Sequence, residues 1–293
     1  MSCGRGQRRC RSEINSKEFF INDLKFILSY PVVEHQGEPC ISRMDLTKLI
    51  EPVMRPSRIK GAEIVRTVVL DAGHGGHDNG AWSPYGHEKQ FTLDVVYRTK
   101  KLLEAQGYRV VLTRSSDTFI PLYDRARIAN RQSDAIFISV HFNSGGAGTG
   151  LETYTLAPRG VPSMMADGPS VSDLVQSAGN INDAQNMALA TATHAAQVVR
   201  TKLYDRGIKR ARFVVLRETK IPAVLFEGGF LSNSYDAKII AMPEYRQQMA
   251  TSIVTAVNNY RRAVGAVNPA VAQQPGTEPQ VRLNGTPSSP RAN

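Results

Sequence analysis

Three apolar runs in this chain each end on a side chain that can bind a metal or transfer a proton. The run VVL leads into the glycine-rich segment DAGHGGHDNGA, which contains His74. The run AIFISV is followed by His141, and the run AVLF is followed by Glu227. Because ligand sites of open α/β sheets form at the carboxyl ends of the strands, we expect these three side chains to meet at one sheet edge.

A fourth candidate, Glu88, opens a predicted helix after a turn-rich loop that follows His74. Hydrolytic zinc sites use about three protein ligands and leave a position open for water. His74, Glu88 and His141 form such a set, and they predict one zinc ion. Glu227 is then left to take a proton from the attacking water and to return it to the leaving amine.

Strand-like and helix-like segments alternate from residue 65 to residue 265. The predicted strands are residues 67–71, 109–113, 135–140, 152–156, 213–216 and 223–226. The predicted helices are residues 88–106, 122–132, 183–204 and 242–264. This alternation predicts an α/β fold of three layers, in which an open, mostly parallel six-stranded sheet is flanked by helices.

Composition divides the rest of the chain into four segments. Residues 1–17 are basic and poor in apolar side chains, and residues 266–293 are rich in Pro, Gly and Gln, so we expect both tails to be disordered. Residues 18–60 predict either a small β-rich stub packed on the main domain or part of a larger module. Residues 157–182 are rich in Gly, Pro and Ser and form an insertion loop in the 65–265 domain.

Within the stub, residues 45–50 predict a short helix that ends before Pro52.

The charge balance restricts the partners. The formal net charge of +10 favours a polyanionic environment, such as anionic polymers of a cell envelope. No aromatic RNA-binding motif or zinc-finger spacing supports nucleic acid, so we expect none. The sequence contains no apolar stretch of about 18 residues and no visible signal peptide, because the N-terminal arginines are not followed by an apolar region.

Other residue types exclude further site chemistries. The three cysteines, Cys3, Cys10 and Cys40, all precede the motifs, so we expect no thiolate ligand. The glycines around His74 match neither the P-loop nor the dinucleotide-binding pattern.

Three polar residues near the motifs are candidates for orienting the ligands or holding substrate: Asp78, Asn143 and Arg210. Turn-capping and strand-end roles fit Asp78 and Asn143 equally well, and a solvated basic face is the alternative for Arg210.

Four segments in fixed order carry a resemblance to a known family. They are DAGHGGHDNGA, GHEKQFTLDVVYRTKKLLEAQGYRVVLTR, ISVHFNS and IPAVLFEGGFLSN. Together they resemble the zinc-dependent N-acetylmuramoyl-L-alanine amidases of the cell-separation and sporulation-autolysin type. The resemblance covers about residues 65–264. It implies zinc on His74, Glu88 and His141, catalysis by Glu227, peptidoglycan as substrate and a location in the periplasm or cell envelope.

Two alternatives remain beside this resemblance. The first is a zinc peptidase on the same scaffold that cleaves a different peptidoglycan amide. The second is a non-catalytic wall-binding protein, which the presence of all four site residues disfavours.

Some relatives carry a regulatory helix at the position of residues 157–182, and its glutamate blocks the zinc. This segment has no glutamate, only Asp167 and Asp173. We therefore expect it to contact substrate, and we expect a monomer that is active without an activator.

Overall fold

The structure, a computed structural model, describes residues 9–62, 64–164 and 169–265. Its strands are β1 (Cys10–Ser12), β2 (Glu18–Ile21), β3 (Leu24–Ile27), β4 (Val33–His35), β5 (Glu38–Cys40), β6 (Thr67–Ala72), β7 (Trp82–Ser83), β8 (Gly86–His87), β9 (Arg109–Leu112), β10 (Ala135–Asn143), β11 (Leu151–Leu156), β12 (Asp205–Ala211) and β13 (Ala223–Phe230). Its α-helices are α1 (Arg43–Asp45), α2 (Glu51–Met54), α3 (Glu88–Glu104), α4 (Leu122–Asn130), α5 (Asp183–Thr201), α6 (Val214–Arg217), α7 (Ser234–Ile240) and α8 (Pro243–Gly265).

One sheet of nine strands organises the described residues, in the order β1-β2-β3-β12-β11-β13-β10-β6-β9. Five neighbouring pairs are parallel, namely β9 with β6, β6 with β10, β10 with β13, β11 with β12, and β12 with β3. The pairs β11/β13, β1/β2 and β2/β3 are antiparallel. The predicted α/β class with a mostly parallel sheet is confirmed, but the sheet has nine strands instead of six because the N-terminal strands extend it.

Helices cover the two faces of this sheet unequally. Along β6, alternate side chains belong to different apolar clusters: Val68 and Leu70 to the larger one and Val69 to the smaller one. The long helices α3, α5 and α8 contact each other or the sheet on the first face, and α4 and α6 pack together on the second. The two clusters bury the strands from both sides, which explains why β6 and most of β10 read as continuous apolar runs.

One predicted strand is wrong. Residues 213–216 were expected to be extended, but Val214–Arg217 forms a single helical turn, α6, whose Val215 and Leu216 pack against the sheet. A short apolar run cannot distinguish a buried strand from a buried helical turn. The strand at this place in the sheet is instead the charged segment β12, which pairs with β11 and β3.

The N-terminal region continues the central sheet. β3 lies parallel to β12, and β1 pairs with β2 although it falls within residues 1–17, which were expected to be disordered. The predicted helix at residues 45–50 corresponds to a π-helical stretch, Leu46–Ile50, between α1 and α2. The helical path does not end before Pro52, because α2 follows directly and contains this proline as its second residue.

Two expectations lie outside the described residues: the disorder of residues 1–8 and that of residues 266–293. Among the helices of the described ranges, none combines the length and the apolar character that crossing a membrane requires.

Candidate metal centre

Three side chains from different elements converge at the carboxyl edge of the sheet. His74 follows β6, Glu88 is the first residue of α3, and His141 lies near the end of β10. One potential ligand atom from each residue lies within 4.8 Å of the other two. The sequence predicted these three residues as a set, and the fold brings them together.

Glu88 is the buried member of this group. Its Oε2 lies 2.9 Å from His74 Nε2, and its Oε1 lies 3.0 Å from His141 Nδ1. The backbone N–H groups of Ala81 and Phe142 each donate to one of these oxygens. Burial opposes ionisation of Glu88, but the contacts with His141 and His74 hold its pKa well below the usual value. Glu88 is therefore an anion at neutral pH.

The loop that carries His74 is shaped for close approach. His74 itself has a positive φ of 62° and is held by Asp78, whose Oδ2 lies 2.9 Å from His74 Nδ1. This contact leaves Nε2 of His74 facing Glu88. Burial lowers the pKa of His74, but Glu88 and Asp78 outweigh it and raise the pKa.

Two glycines make room for the ligands. A Cβ atom on Gly73 would lie 2.3 Å from Cε1 of His141. A Cβ on Gly80 would lie 2.5 Å from Oε2 of Glu88, and the backbone there has a φ of +66°. Side chains at either position would displace a ligand, so the glycine-rich sequence is a steric requirement of this site.

Glu227 stands beside the group on the neighbouring strand. It is the register partner of His141 in the parallel β10/β13 pair, so both side chains emerge at the same edge. Its Oε2 is buried and has no hydrogen-bond partner among the described residues. Burial raises the pKa of Glu227 well above its ordinary value, and the charges of Glu88 and Glu152 raise it further.

Glu152 is a site neighbour that the sequence analysis missed. It faces Glu227 across the antiparallel β11/β13 pair. Lys209 Nζ and Arg206 donate to its Oε1, while the Tyr154 hydroxyl donates to its Oε2. Burial opposes ionisation, but these partners lower the pKa of Glu152. An isolated acid in the otherwise uncharged strand LETYTL was the available signal.

Asn143 lies at the end of β10, and its amide donates to Glu152 Oε2 at 3.0 Å. Of the sequence candidates, Asp78 therefore contacts a potential ligand and Asn143 contacts Glu152, and both line the cleft that these side chains surround.

Two buried arginines hold the ligand loop from below, and the sequence analysis assigned neither of them. Arg125 pairs with Asp71 at 2.9 Å and donates to the carbonyl oxygens of Ala72 and His74. Arg114 donates to the carbonyl oxygens of Ala72 and Gly73. These donors satisfy the carbonyl groups of a loop that has left the sheet. Nothing in the local sequence distinguishes them from surface arginines.

The converging side chains line a cleft of about 700 Å³. Its polar lining includes His74, Glu88, His141 and Glu227. An apolar wall comes from the loop before α4, from the start of α4 and from the start of α6. The residues of that wall are Phe119, Leu122, Phe213, Val214 and Val215.

Arg210 does not belong to this cleft. It is 2% exposed and pairs at 2.9 Å with Asp45, a residue of the N-terminal region that is also fully buried. The expectation that Arg210 contacts substrate or a metal ligand is therefore wrong. Arg210 lies on β12 and ties this strand to helix α1 of the N-terminal region through Asp45.

The insertion at residues 157–182 contributes nothing to the metal cleft through its described residues, 157–164 and 169–182. Several of these residues line a second groove, and Arg212 lines both spaces. Contact of the insertion with substrate stays a prediction. Asp167, one of the two acidic residues of the insertion, lies outside the described residues.

Comparison with known proteins agrees with this geometry. Residues 68–259 match the family described as N-acetylmuramoyl-L-alanine amidase. The amidase AmiA of Escherichia coli is 32% identical over 224 residues, which cover 67% of this chain and 76% of AmiA. The sporulation-specific N-acetylmuramoyl-L-alanine amidase of Bacillus subtilis is 32% identical over 62% of this chain and 63% of its own.

Solved structures show the same likeness. The catalytic domain of CwlV, an N-acetylmuramoyl-L-alanine amidase from Bacillus (Paenibacillus) polymyxa var. colistinus, is 32% identical. It aligns with a TM-score of 0.56 over 67% of this chain and 98% of its own. The family match, residues 68–259, leaves out the N-terminal strands β1 to β5. The chain belongs to the N-acetylmuramoyl-L-alanine amidase family.

Proposed function

We propose that this protein is a zinc-dependent enzyme that hydrolyses the amide bond between N-acetylmuramic acid and L-alanine in peptidoglycan. The family supplies the reaction class. The single observation that carries the zinc dependence is that ligand atoms of His74, Glu88 and His141, which all line the cleft, lie within 4.8 Å of one another. Two imidazoles and one carboxylate are the ligand composition of hydrolytic zinc sites.

The residues present fit such an ion. Glu88 is held anionic, His74 is oriented by Asp78, and Gly73 and Gly80 leave the space that the ligands occupy. When bound, zinc lowers the pKa of a water molecule and polarises the substrate carbonyl. Asp78 contacts His74, and backbone N–H groups donate to Glu88. These contacts fix the direction in which the ligand atoms of His74 and Glu88 point.

Glu227 is assigned the proton transfers. Its carboxylate takes a proton from the attacking water as the C–O bond forms. It then gives this proton to the nitrogen of L-alanine as the C–N bond breaks, so the amine leaves uncharged. The burial and the neighbouring carboxylates that raise the pKa of Glu227 help it to hold the proton between these two steps.

The remaining details of this proposal concern the setting. Its substrate places the enzyme in the periplasm or the cell envelope, with a role in wall remodelling, daughter-cell separation or autolysis. The described part of the insertion leaves the cleft open, which supports activity without an activator. We expect a monomer, whose positive charge favours contact with anionic envelope polymers.

Digestion of purified peptidoglycan tests the reaction. Mass spectrometry of the released material should show intact stem peptides with a free L-alanine amino group, together with glycan chains that have lost them. Metal analysis of the same preparation should give about one zinc ion per chain. Release of peptides cut within the stem would support the peptidase alternative and contradict the proposal.

A further inference from the structure

A second groove of about 550 Å³ lies beside the metal cleft. One wall is the insertion, which contributes Ser170, Ser172, Gln176 and Ser177. The other wall comes from the turn around α6 and includes Arg217. The insertion also contributes Val175 and Ala178, so hydroxyl and amide groups lie beside apolar side chains in this wall.

The groove and the metal cleft share one lining residue. Arg212 lines both spaces, and it is followed directly by Phe213 in the apolar wall of the cleft. The groove is therefore the neighbouring space for a substrate whose scissile amide lies at the metal ligands.

The charges in this groove are balanced. Arg212 Nη1 lies 2.7 Å from Asp173 Oδ1, and Arg217 Nε lies 2.8 Å from Glu218 Oε1. Each arginine of the groove thus has a carboxylate partner in the groove itself. Such a surface offers many hydrogen bonds and no net charge, so it suits a neutral, hydroxyl-rich ligand better than an anion.

The insertion is also held in shape. Arg212 donates to the carbonyl oxygens of Pro158 and Val161, and the Tyr30 hydroxyl donates to the carbonyl oxygen of Gly160. The short turn at Val171–Leu174 is capped by Ser170 and Asp173. A preformed groove binds with a smaller loss of conformational entropy than a loop that must order on binding.

From these contacts we infer that the groove binds neutral sugar residues of the glycan strand next to the muramic acid whose amide is cut. This inference rests on the proposed function and names a subsite for it. A stem peptide is the less suitable occupant, because its carboxylates would meet cations that Asp173 and Glu218 already neutralise. Phosphate-rich envelope polymers are disfavoured for the same reason.

The test compares two substrates that share the scissile bond. One is a single N-acetylmuramoyl peptide, and the other is a soluble glycan chain that carries the same peptides. The variant is the double substitution Ser172→Ala and Gln176→Ala, whose side chains are exposed in the groove. The matched control is Gln248→Ala, an exposed glutamine on α8 at a distance from both grooves.

We expect the ratio of kcat/KM on the chain to kcat/KM on the monomer to fall about tenfold in the double variant, as the loss of two ordinary hydrogen bonds would give. The control should keep the wild-type ratio, and thermal midpoints should confirm that both variants fold. An unchanged ratio in a folded double variant would overturn the inference, as would an equal loss on both substrates.

Binding separates this inference from the proposed function. Peptide-free glycan oligosaccharides, titrated calorimetrically, should bind the wild type more tightly than the double variant, even if the enzyme cuts neither substrate. Equal affinity of the two proteins for the oligosaccharide would contradict the glycan assignment. So would a wild type that binds the free stem peptide more tightly than the oligosaccharide and loses that peptide affinity in the double variant. Inactivity of the wild type on both substrates would contradict only the proposed amidase reaction.

Discussion

Two buried arginine–aspartate pairs of the same length serve different parts of this molecule. Arg125 and Asp71 lie under the metal ligands, and Arg210 and Asp45 lie between the sheet and the N-terminal region; each pair is separated by 2.9 Å and is at most 2% exposed. The other two nitrogens of Arg125 donate hydrogen bonds to carbonyl oxygens, one of which belongs to His74. Arg210 leaves Nε and Nη2 without partners in the described chain.

This difference shows that residue type and burial do not define the site. What distinguishes the Arg125 pair is its place at the carboxyl edge of β6, where its donors hold the loop that carries a ligand. In the other pair, Arg210 lies on β12 and Asp45 in helix α1, and their contact joins the sheet to the N-terminal region. Substitutions in the two pairs should therefore separate activity from stability.

The largest effect is expected from Arg125→Met. Removal of one partner from a buried pair typically costs about 3–5 kcal/mol of unfolding free energy. Because Arg125 also holds the His74 loop, we expect zinc affinity to fall about 10- to 100-fold as well. Denaturant titration and zinc titration of the folded variant measure the two losses. If the variant is destabilised but keeps its zinc affinity, the Arg125 pair serves only stability, as the Arg210 pair does, and the proposed difference between the two pairs is contradicted.

A smaller and different effect is expected from Arg210→Met. It should lower the unfolding free energy by about 3 kcal/mol, because Asp45 loses its charged partner but keeps donors from Ser29, Tyr30 and Ser42. Turnover per folded molecule should stay within about twofold of the wild type, because Arg210 does not line the cleft. A large fall in turnover of a folded Arg210→Met variant would show that Arg210 contributes to the site after all.

The smallest effect is expected in the pH dependence of the unfolding free energy, through the charge of Asp71. Burial raises the pKa of Asp71, but Arg125 and the hydroxyls of Thr113 and Ser139 outweigh it and lower the pKa below its usual value. Ionised Asp71 therefore stabilises the fold above the ordinary aspartate pKa of about 3.9, and this stabilisation is lost as the pH falls through the lower folded value. The stability difference between the wild type and Asp71→Asn should be greatest near neutral pH and shrink below about pH 4.

Unfolding free energies of both proteins between neutral and acid pH measure this difference. A gap that stays constant or grows on acidification would show that the Asp71 charge does not stabilise the fold.

The sequence was sufficient for the strands and residues that meet at the carboxyl edge of the sheet. β6, β10 and β13 are buried on both faces and read as apolar runs, so their ends, and with them His74, His141 and Glu227, could be located. The local sequence pattern did not predict the strand β12, whose conformation depends on its pairing with distant residues. β12 is charged because its side chains form ion pairs with Glu152 and Asp45, and no periodicity marks it as a strand.

The same limit applies to the surroundings of the site. The roles of Arg114, Arg125 and Glu152 arise from contacts with residues far away in the chain, and a local motif carries no trace of them. The absence of glutamate from the insertion can be read directly from the sequence, but its composition could not reveal that part of it lines a second groove.

Glu88 and Glu227 are chemically alike and adjacent in space, but in the proposed mechanism they perform different tasks. Zinc content, thermal midpoint and turnover should be measured side by side for Glu88→Ala and Glu227→Gln. We expect Glu88→Ala to lose zinc and activity together. We expect Glu227→Gln to keep its zinc and its fold but to lose at least about 100-fold in turnover, the typical contribution of general acid–base catalysis. A folded, zinc-loaded Glu227→Gln enzyme with near-normal turnover would contradict this assignment of the two glutamates.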